Sequence, residues 1–408
     1  EKKGLENMRI AIIGAGIVGS SLAYHLATRG ANVYIFDTRR AGSVTSLATF
    51  SYLNAVRFGG QYGELRVKAI SYWTELSTRL SAEQLVHRDG SIYYVDNDVD
   101  AEKMEAHVAA SSVAGLEFER MKAADFVARF EPNLVLPESR FPVYRMPGEG
   151  WLESVPMVGR LLRGAEDAGA TLYASEQITR IERRDGGYRL RGTRTDITVD
   201  KVVSCSGAET ANVLDMFGAK LPVTTRAGVT IVTKPLPTGL RHVVYAGKVH
   251  FKPDGSGRLV AGRTDYRTSV PTHDDAHAAA EETAALVRPW LRGFGDGEIE
   301  SVRIGIRPIP PDGLPVVGEI PGHPGLSVAV MHSGISLSGL VGKEHASEIL
   351  TDNESELLRS YRPARLIDHV DKHREFAPWA PGDLATTETG HPGILSIGAA
   401  PTDGEPAK

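Results

Sequence analysis

The chain carries Gly14, Gly16 and Gly19 in the run Gly14-Ala15-Gly16-Ile17-Val18-Gly19, and an acid, Asp37, after the next predicted strand. Glycines at this spacing do a specific job. The first permits a tight turn, the second lets a pyrophosphate approach the backbone, and the third lets a helix pack close to the strand before it. Asp37 suits a ribose 2′-hydroxyl and would repel a 2′-phosphate. The expected chemistry is dinucleotide binding, with NAD and FAD both open at this point. Downstream, residues 38–46 form a polar loop containing Arg39, Arg40 and Ser46. Such a loop either holds adenosine and phosphates or is simply solvated.

Two other stretches have chemical content. The segment His332-Ser333-Gly334-Ile335-Ser336-Leu337-Ser338-Gly339 is a second small-residue turn that opens a helix, predicted over 340–350. It offers amides and a positive dipole end to an anion. Arg307, in Gly305-Ile306-Arg307-Pro308, presents a fork suited to bidentate carboxylate binding, or else is a surface or structural arginine. Cys205 has no histidine near it in sequence and reads as a buried structural thiol.

The elements that must position these residues follow from periodicity. Residues 9–13 are a short apolar run, as for a strand buried on both faces; 17–29 is a helix closed by Gly30; 32–36 is the next strand. Residues 64–80 form an amphipathic helix, with Trp73, like His25 upstream, read as a packing residue. Helices are expected over 101–114, 123–130 and 153–168, and a strand over 91–95. Residues 171–174, 178–183 and 188–191 alternate like meander strands, and 201–208 is a buried strand ending in small residues. Strands at 228–233, 242–251, 258–262 and 299–306 enclose an alanine-rich helix at 274–291.

The fold class is therefore α/β: a Rossmann-like domain of parallel sheet, helices and a meander, interleaved with an α+β domain built on an antiparallel sheet. The expected segments are 8–57, 148–222 and 305–363 for the first, and 58–147 and 223–304 for the second. Residues 1–7 look like a tag remnant, and 364–408 a C-terminal extension, flexible over 380–408.

Composition narrows the rest. The 408 residues are 41% hydrophobic and 24% charged, with a formal net charge of −5, so there is no basic footprint for nucleic acid. No apolar run is long enough to span a membrane, and a cytoplasmic protein is the default. A single cysteine excludes an internal disulfide and a multi-cysteine metal site; no metal is expected.

Taken together, GAGIVG with Asp37, the strand ending in Ser204 to Ala208, Arg307-Pro308 with Asp312-Gly313-Leu314-Pro315, and the His332 to Gly339 turn resemble the D-amino-acid oxidase superfamily. The likeness is to its glycine oxidase and sarcosine oxidase branch and covers nearly all of 8–363. It implies FAD held by Gly14, Gly16, Gly19 and Asp37, with Arg39, Arg40 and Ser46 at the AMP half and Ile178, Ser206 and Gly207 also against the cofactor. Gly334, Ile335, Ser336 and Leu337 fall at the pyrimidine end of the flavin. A helix N-terminus there would stabilise the negative charge that reduction brings.

The resemblance also implies that Arg307 clamps a substrate carboxylate and that His250, Asp265 and His332 line the substrate pocket. No cysteine stands near Arg307 and no histidine in 42–54, so the FAD is expected to be noncovalent. The oxygen-activating lysine of the sarcosine oxidase branch has no counterpart at Leu259-Val260-Ala261. The expected reaction is oxidation of the Cα–N bond of an amino acid or N-substituted glycine by hydride transfer to flavin N5, with imine hydrolysis and O2 as acceptor, giving H2O2. Its rivals are a dehydrogenase subunit passing electrons to a quinone or partner protein, a flavin-binding regulatory subunit, and an NAD-dependent dehydrogenase. A homo-oligomer is left open.

Overall fold

A computed structural model describes residues 4, 8–264, 273–295, 299–367 and 394–396. Its centre is the strand Arg9–Ile13, whose Ile10, Ala11 and Ile12 are fully buried. The strand sits inside a six-stranded sheet ordered Val316–Glu319, Leu326–Val330, Lys201–Ser204, Arg9–Ile13, Asn32–Asp37 and Thr171–Ala174. Neighbours run parallel except for the first pair, which is antiparallel. Ile13 is opposite both Ser204 and Phe36, so three strands end together where the glycine turn leaves the sheet. Such a crevice at the carboxyl ends of parallel strands is where this architecture binds ligands.

Helices Ile17–Ala27 and Gly334–Thr351 pack side by side on one face of this sheet. Ser21 Oγ donates to Ser338 O at 2.8 Å, and a Cβ at Gly342 would lie 2.5 Å from Ser21 Oγ. The other face is covered by a meander of Ile178–Arg184, Gly187–Gly192 and Asp196–Val199, packed through Tyr188, Leu190 and Val199 onto Phe36, Val202 and Leu326. Thr171–Ala174 is not part of this meander, as its alternation suggested; it pairs in parallel with Asn32–Asp37. A half-buried edge strand of a parallel sheet shows the same period of two as a meander strand.

The second sheet has nine strands, ordered Ile394–Ser396, Ile299–Ile309, Thr224–Thr233, Leu259–Arg263, Val249–Pro253, Val243–Ala246, Ser91–Tyr94, Val143–Met146 and Glu119–Met121. It is antiparallel except where Val243–Ala246 meets Ser91–Tyr94. The single strand expected over 242–251 is two, because Gly247 takes φ +56° and turns the chain back. Helix His273–Val287 covers one face through Ala276, Ala280, Ala284 and Val287, against Phe251, Val302, Ile304 and Ile306.

Helix Gly60–Arg79 packs against Gly334–Thr351, where Trp73 Nε1 donates to Ile335 O at 2.8 Å. Within the expected C-terminal tail, residues 394–396 add an edge strand to the second sheet; the rest of 380–408, and Asp265, lie outside the described residues. Among the described residues no helix is long and apolar enough to cross a membrane.

Candidate active site

A cavity of about 760 Å³ runs from the glycine turn to the second sheet. At its first end Gly14 takes φ +108°, and a Cβ there would lie 2.4 Å from Cys205 O. At Gly19 a Cβ would lie 1.9 Å from Gly14 O, which is why only glycine lets the helix approach. Gly16 has only Ser46 Oγ within 4 Å of a would-be Cβ, and Gly207, at φ +58°, has nothing. Both line the cavity, so the two turns leave backbone bare on its wall.

Asp37 stands beside them. Its carboxylate accepts the amide hydrogens of Ala15 at 2.8 Å and Arg39 at 2.9 Å, leaving a lone pair on each oxygen. Burial pushes the carboxyl above its usual range, while those two amides pull it back down. Ser46 Oγ accepts from Ile17 N at 3.1 Å, which places the polar loop over the first helix. An elongated cavity with bare glycine backbone, a helix N-terminus and an acid at one end fits the AMP half of a dinucleotide.

The wall also contains Arg39, Ile178, Ser206, Gly334, Ile335 and Ser336. Gly19 and Arg40 are not on it, nor is Leu337, whose side chain is fully buried in the helix Gly334–Thr351.

The second turn is braced by a residue that sequence reasoning missed. Arg66, on the helix Gly60–Arg79, is 1% exposed. Its guanidinium donates to Asn54 O at 2.7 and 3.0 Å, to Tyr62 Oη at 3.0 Å and to Ser333 Oγ at 2.6 Å, and lies over the Phe58 ring. It ties the loop at Asn54 to the turn that opens the last long helix, and puts a fixed positive charge there.

At the far end Arg307, His332 and His250 share the wall with Tyr245 and Arg263. Arg307 lies against Gly228, whose would-be Cβ is 3.2 Å from Nε; its Nη2 donates to Ala227 O at 2.9 Å. Nη1 lies 3.5 Å from His332 Nε2. Enclosure in the cavity, then Arg307, Arg66 and Arg226, hold His332 down to about 4. Burial, then Arg57 and Arg307, hold His250 down to about 3. Both imidazoles are neutral at pH 7. His250 is stacked on Tyr245 with centroids 5.1 Å apart, and its buried Nδ1 has no hydrogen-bond partner among the described residues. Lys252, two residues along the same strand, is off the wall and sits 4.1 Å over the Trp151 ring. Arg263 pairs with Glu282.

Comparison with known proteins gives a consistent result. A family model described as FAD dependent oxidoreductase matches residues 9–348. Glycine oxidase of Geobacillus kaustophilus is 27% identical over 385 residues, covering 89% of this chain and 97% of that protein. An opine oxidase subunit of Agrobacterium tumefaciens is 23% identical over 371 residues, covering 85% and 95%. The crystal structure of glycine oxidase from Geobacillus kaustophilus superposes with a TM-score of 0.78 at 24% identity, over 88% of this chain and all of that one. These matches show the family: the chain belongs to the D-amino-acid oxidase superfamily of FAD-dependent oxidoreductases, in the branch that includes glycine oxidase.

Proposed function

We propose that the protein is an amine oxidase acting on the Cα–N bond of an amino acid or N-substituted glycine, with noncovalent FAD. The observation that carries this reading is the placement of Arg307, with its neutral neighbour His332, on the same cavity wall as the dinucleotide turns. FAD, when bound, supplies the two-electron acceptor for the hydride leaving Cα. Gly14, Gly16, Asp37 and Ser46 would hold its AMP half, and the turn Gly334 to Ser336, backed by Arg66, would offer backbone amides to its other end. In this division 8–57, 148–222 and 305–363 form the FAD side and 58–147 and 223–304 the substrate side, with helix Gly60–Arg79 packed against the former.

Arg307 binds and orients the substrate carboxylate, and its hydrogen bond to Ala227 O fixes the fork. The surrounding arginines lower the pKa of the substrate ammonium, which favours the free amine needed for hydride loss. His250 and His332 stay neutral and accept or donate hydrogen bonds without adding charge. No side chain needs to be a strong base, because positioning supplies much of the rate. For a secondary amine the balance is R–NH–CH2–COO⁻ + O2 + H2O → R–NH2 + OHC–COO⁻ + H2O2, the imine carbon taking its oxygen from water.

The likeness to one component of an opine oxidase supports a second reading in which the electrons pass to a partner protein in place of O2. One experiment separates them. The purified protein is scanned anaerobically while glycine, sarcosine, iminodiacetate and a panel of D- and L-amino acids are added, then air is readmitted. Bleaching of the flavin bands by one amine establishes the activity, and peroxide on aeration identifies O2 as acceptor. Bleaching without reoxidation in air favours the partner. A flavin that none of these amines bleaches would sink the amine oxidase reading.

A further inference from the structure

Three carboxylates stand on the cavity wall among the described residues: Asp37, Glu176 and Glu209. Two of them are accounted for. Asp37 accepts two amides, and its remaining lone pairs suit ribose hydroxyls. Glu176 accepts the amide hydrogens of Arg194 at 2.8 Å and Thr195 at 3.1 Å and pairs with Arg194 Nε at 2.9 Å, so it holds the end of the meander.

Glu209 is left over. It immediately precedes the helix Thr210–Asp215, where an acid ordinarily accepts from the first amides, yet its side chain makes no such bond. Oε2 accepts from Asn212 Nδ2 at 2.8 Å, and the Glu209 amide donates to Ser206 O at 3.1 Å, so the residue is fixed. Oε1 is buried and has no hydrogen-bond partner among the described residues. A bare buried acceptor is costly, and one kept on a cavity wall calls for a donor brought by a ligand.

The chain around Glu209 shows which end of the cavity this is. Cys205 and Ser206 lie against Gly14, and Glu209 follows shortly after them. The wall beside it carries Val213 and Met216, and Ile178 packs in one apolar cluster with Leu214 of the same short helix. Apolar side chains with a few polar groups among them suit a flat base. An adenine linked through N9 has one donor group, its 6-amino group.

We propose that Glu209 reads the base of the cofactor, with Oε1 accepting a hydrogen bond from the adenine 6-amino group of FAD. This rests on the cavity holding FAD with its AMP half at the glycine turn. A hypoxanthine in the same place would set its 6-oxygen against the carboxylate, acceptor against acceptor.

The test sets FAD against flavin hypoxanthine dinucleotide, in which the 6-amino group is replaced by a 6-oxygen and N1 carries the proton. The purified holoprotein is equilibrated with an equimolar excess of both, desalted and denatured, and the released dinucleotides are separated by chromatography. Wild type is expected to retain FAD over the analogue by about 10-fold or more, since a buried acceptor discriminates strongly against a ligand that lacks its donor. Glu209→Gln keeps the size of the side chain and can turn its amide N–H to a 6-oxygen, so the ratio should fall close to one. Glu209→Ala removes the acceptor and should bring the ratio close to one as well. A Glu209 that only supports the helix would weaken both dinucleotides equally in the variants and leave their ratio unchanged. That result, or equal retention of the two by wild type, which needs no variant to fold, would overturn the proposal. Failure of the amine oxidase reading looks different: no amine bleaches the flavin, whichever base the dinucleotide carries.

Discussion

Arg307 Nη1 lies 3.5 Å from His332 Nε2, joining the long strand Ile299–Ile309 to the turn that opens the last long helix. The pair keeps a cation and a neutral base side by side on the cavity wall, because the arginine itself helps to hold the imidazole down to about 4. On the proposed reading, a substrate carboxylate would meet a fork already oriented by Ala227 O.

Arg307→Ala should raise KM for the amine substrate by about 100-fold, and Arg307→Lys by about 10-fold, since a lysine keeps the charge and loses the fork. Steady-state kinetics on the substrate identified by flavin bleaching checks this. An unchanged KM would remove Arg307 from the carboxylate site.

Arg66→Ala should destabilise the holoprotein by about 2–4 kcal/mol, because Asn54 O, Tyr62 Oη and Ser333 Oγ lose a buried charged donor. Guanidinium-induced unfolding measures it. The same variant should hold FAD more loosely, read by equilibrium dialysis, as the turn it braces is released.

Two glycines should respond in opposite ways. Gly19→Ala puts a methyl 1.9 Å from Gly14 O and should abolish FAD retention, read as the ratio of flavin to protein absorbance. Gly159→Ala, in the helix Ser154–Asp167 with nothing within 4 Å of its new Cβ, should stabilise by about 0.5–1 kcal/mol.

Stability should fall on acidification through His250. Its folded pKa of about 3 lies below the ordinary 6.5, so between those values the unfolded chain binds a proton that the native protein does not. The contribution is complete above pH 6.5 and is lost progressively toward pH 3, amounting to about 1–2 kcal/mol by pH 5. Comparing thermal unfolding at pH 7.5 and pH 5 in wild type and His250→Asn isolates it: the variant should show a smaller drop.

The cofactor should leave intact on denaturation. Cys205 is on the cavity wall, but burial pushes its thiol up to about 12, so it stays protonated and unreactive. Acid precipitation should release all the flavin to the supernatant, and the intact mass of the protein should equal that of the polypeptide alone.

The strand, glycine turn, helix and acid were readable from sequence because their signal is local, all within the first 37 residues. The substrate end depends on side chains brought together across the fold. Arg66 looks like a solvated charge in an amphipathic helix, and only the approach of Ser333, 267 positions away, makes it a buried brace. Glu149 reads as part of a Gly-Glu-Gly turn, although it reaches back 94 positions to cap Ala55. Thr171–Ala174 shows the same limit for the fold, since alternation reports half-burial and not which sheet does the burying.

The contact between helices Ile17–Ala27 and Gly334–Thr351 sets the order of events during synthesis. The first helix offers Ser21 to a carbonyl 317 residues further on, so this part of its surface waits for the helix Gly334–Thr351, although its contact with the helix Ser154–Asp167 can form much earlier. Pairings this distant in sequence make folding slow and keep apolar surface exposed meanwhile. A polypeptide that stops short of Gly334 leaves that surface of the first helix open to solvent.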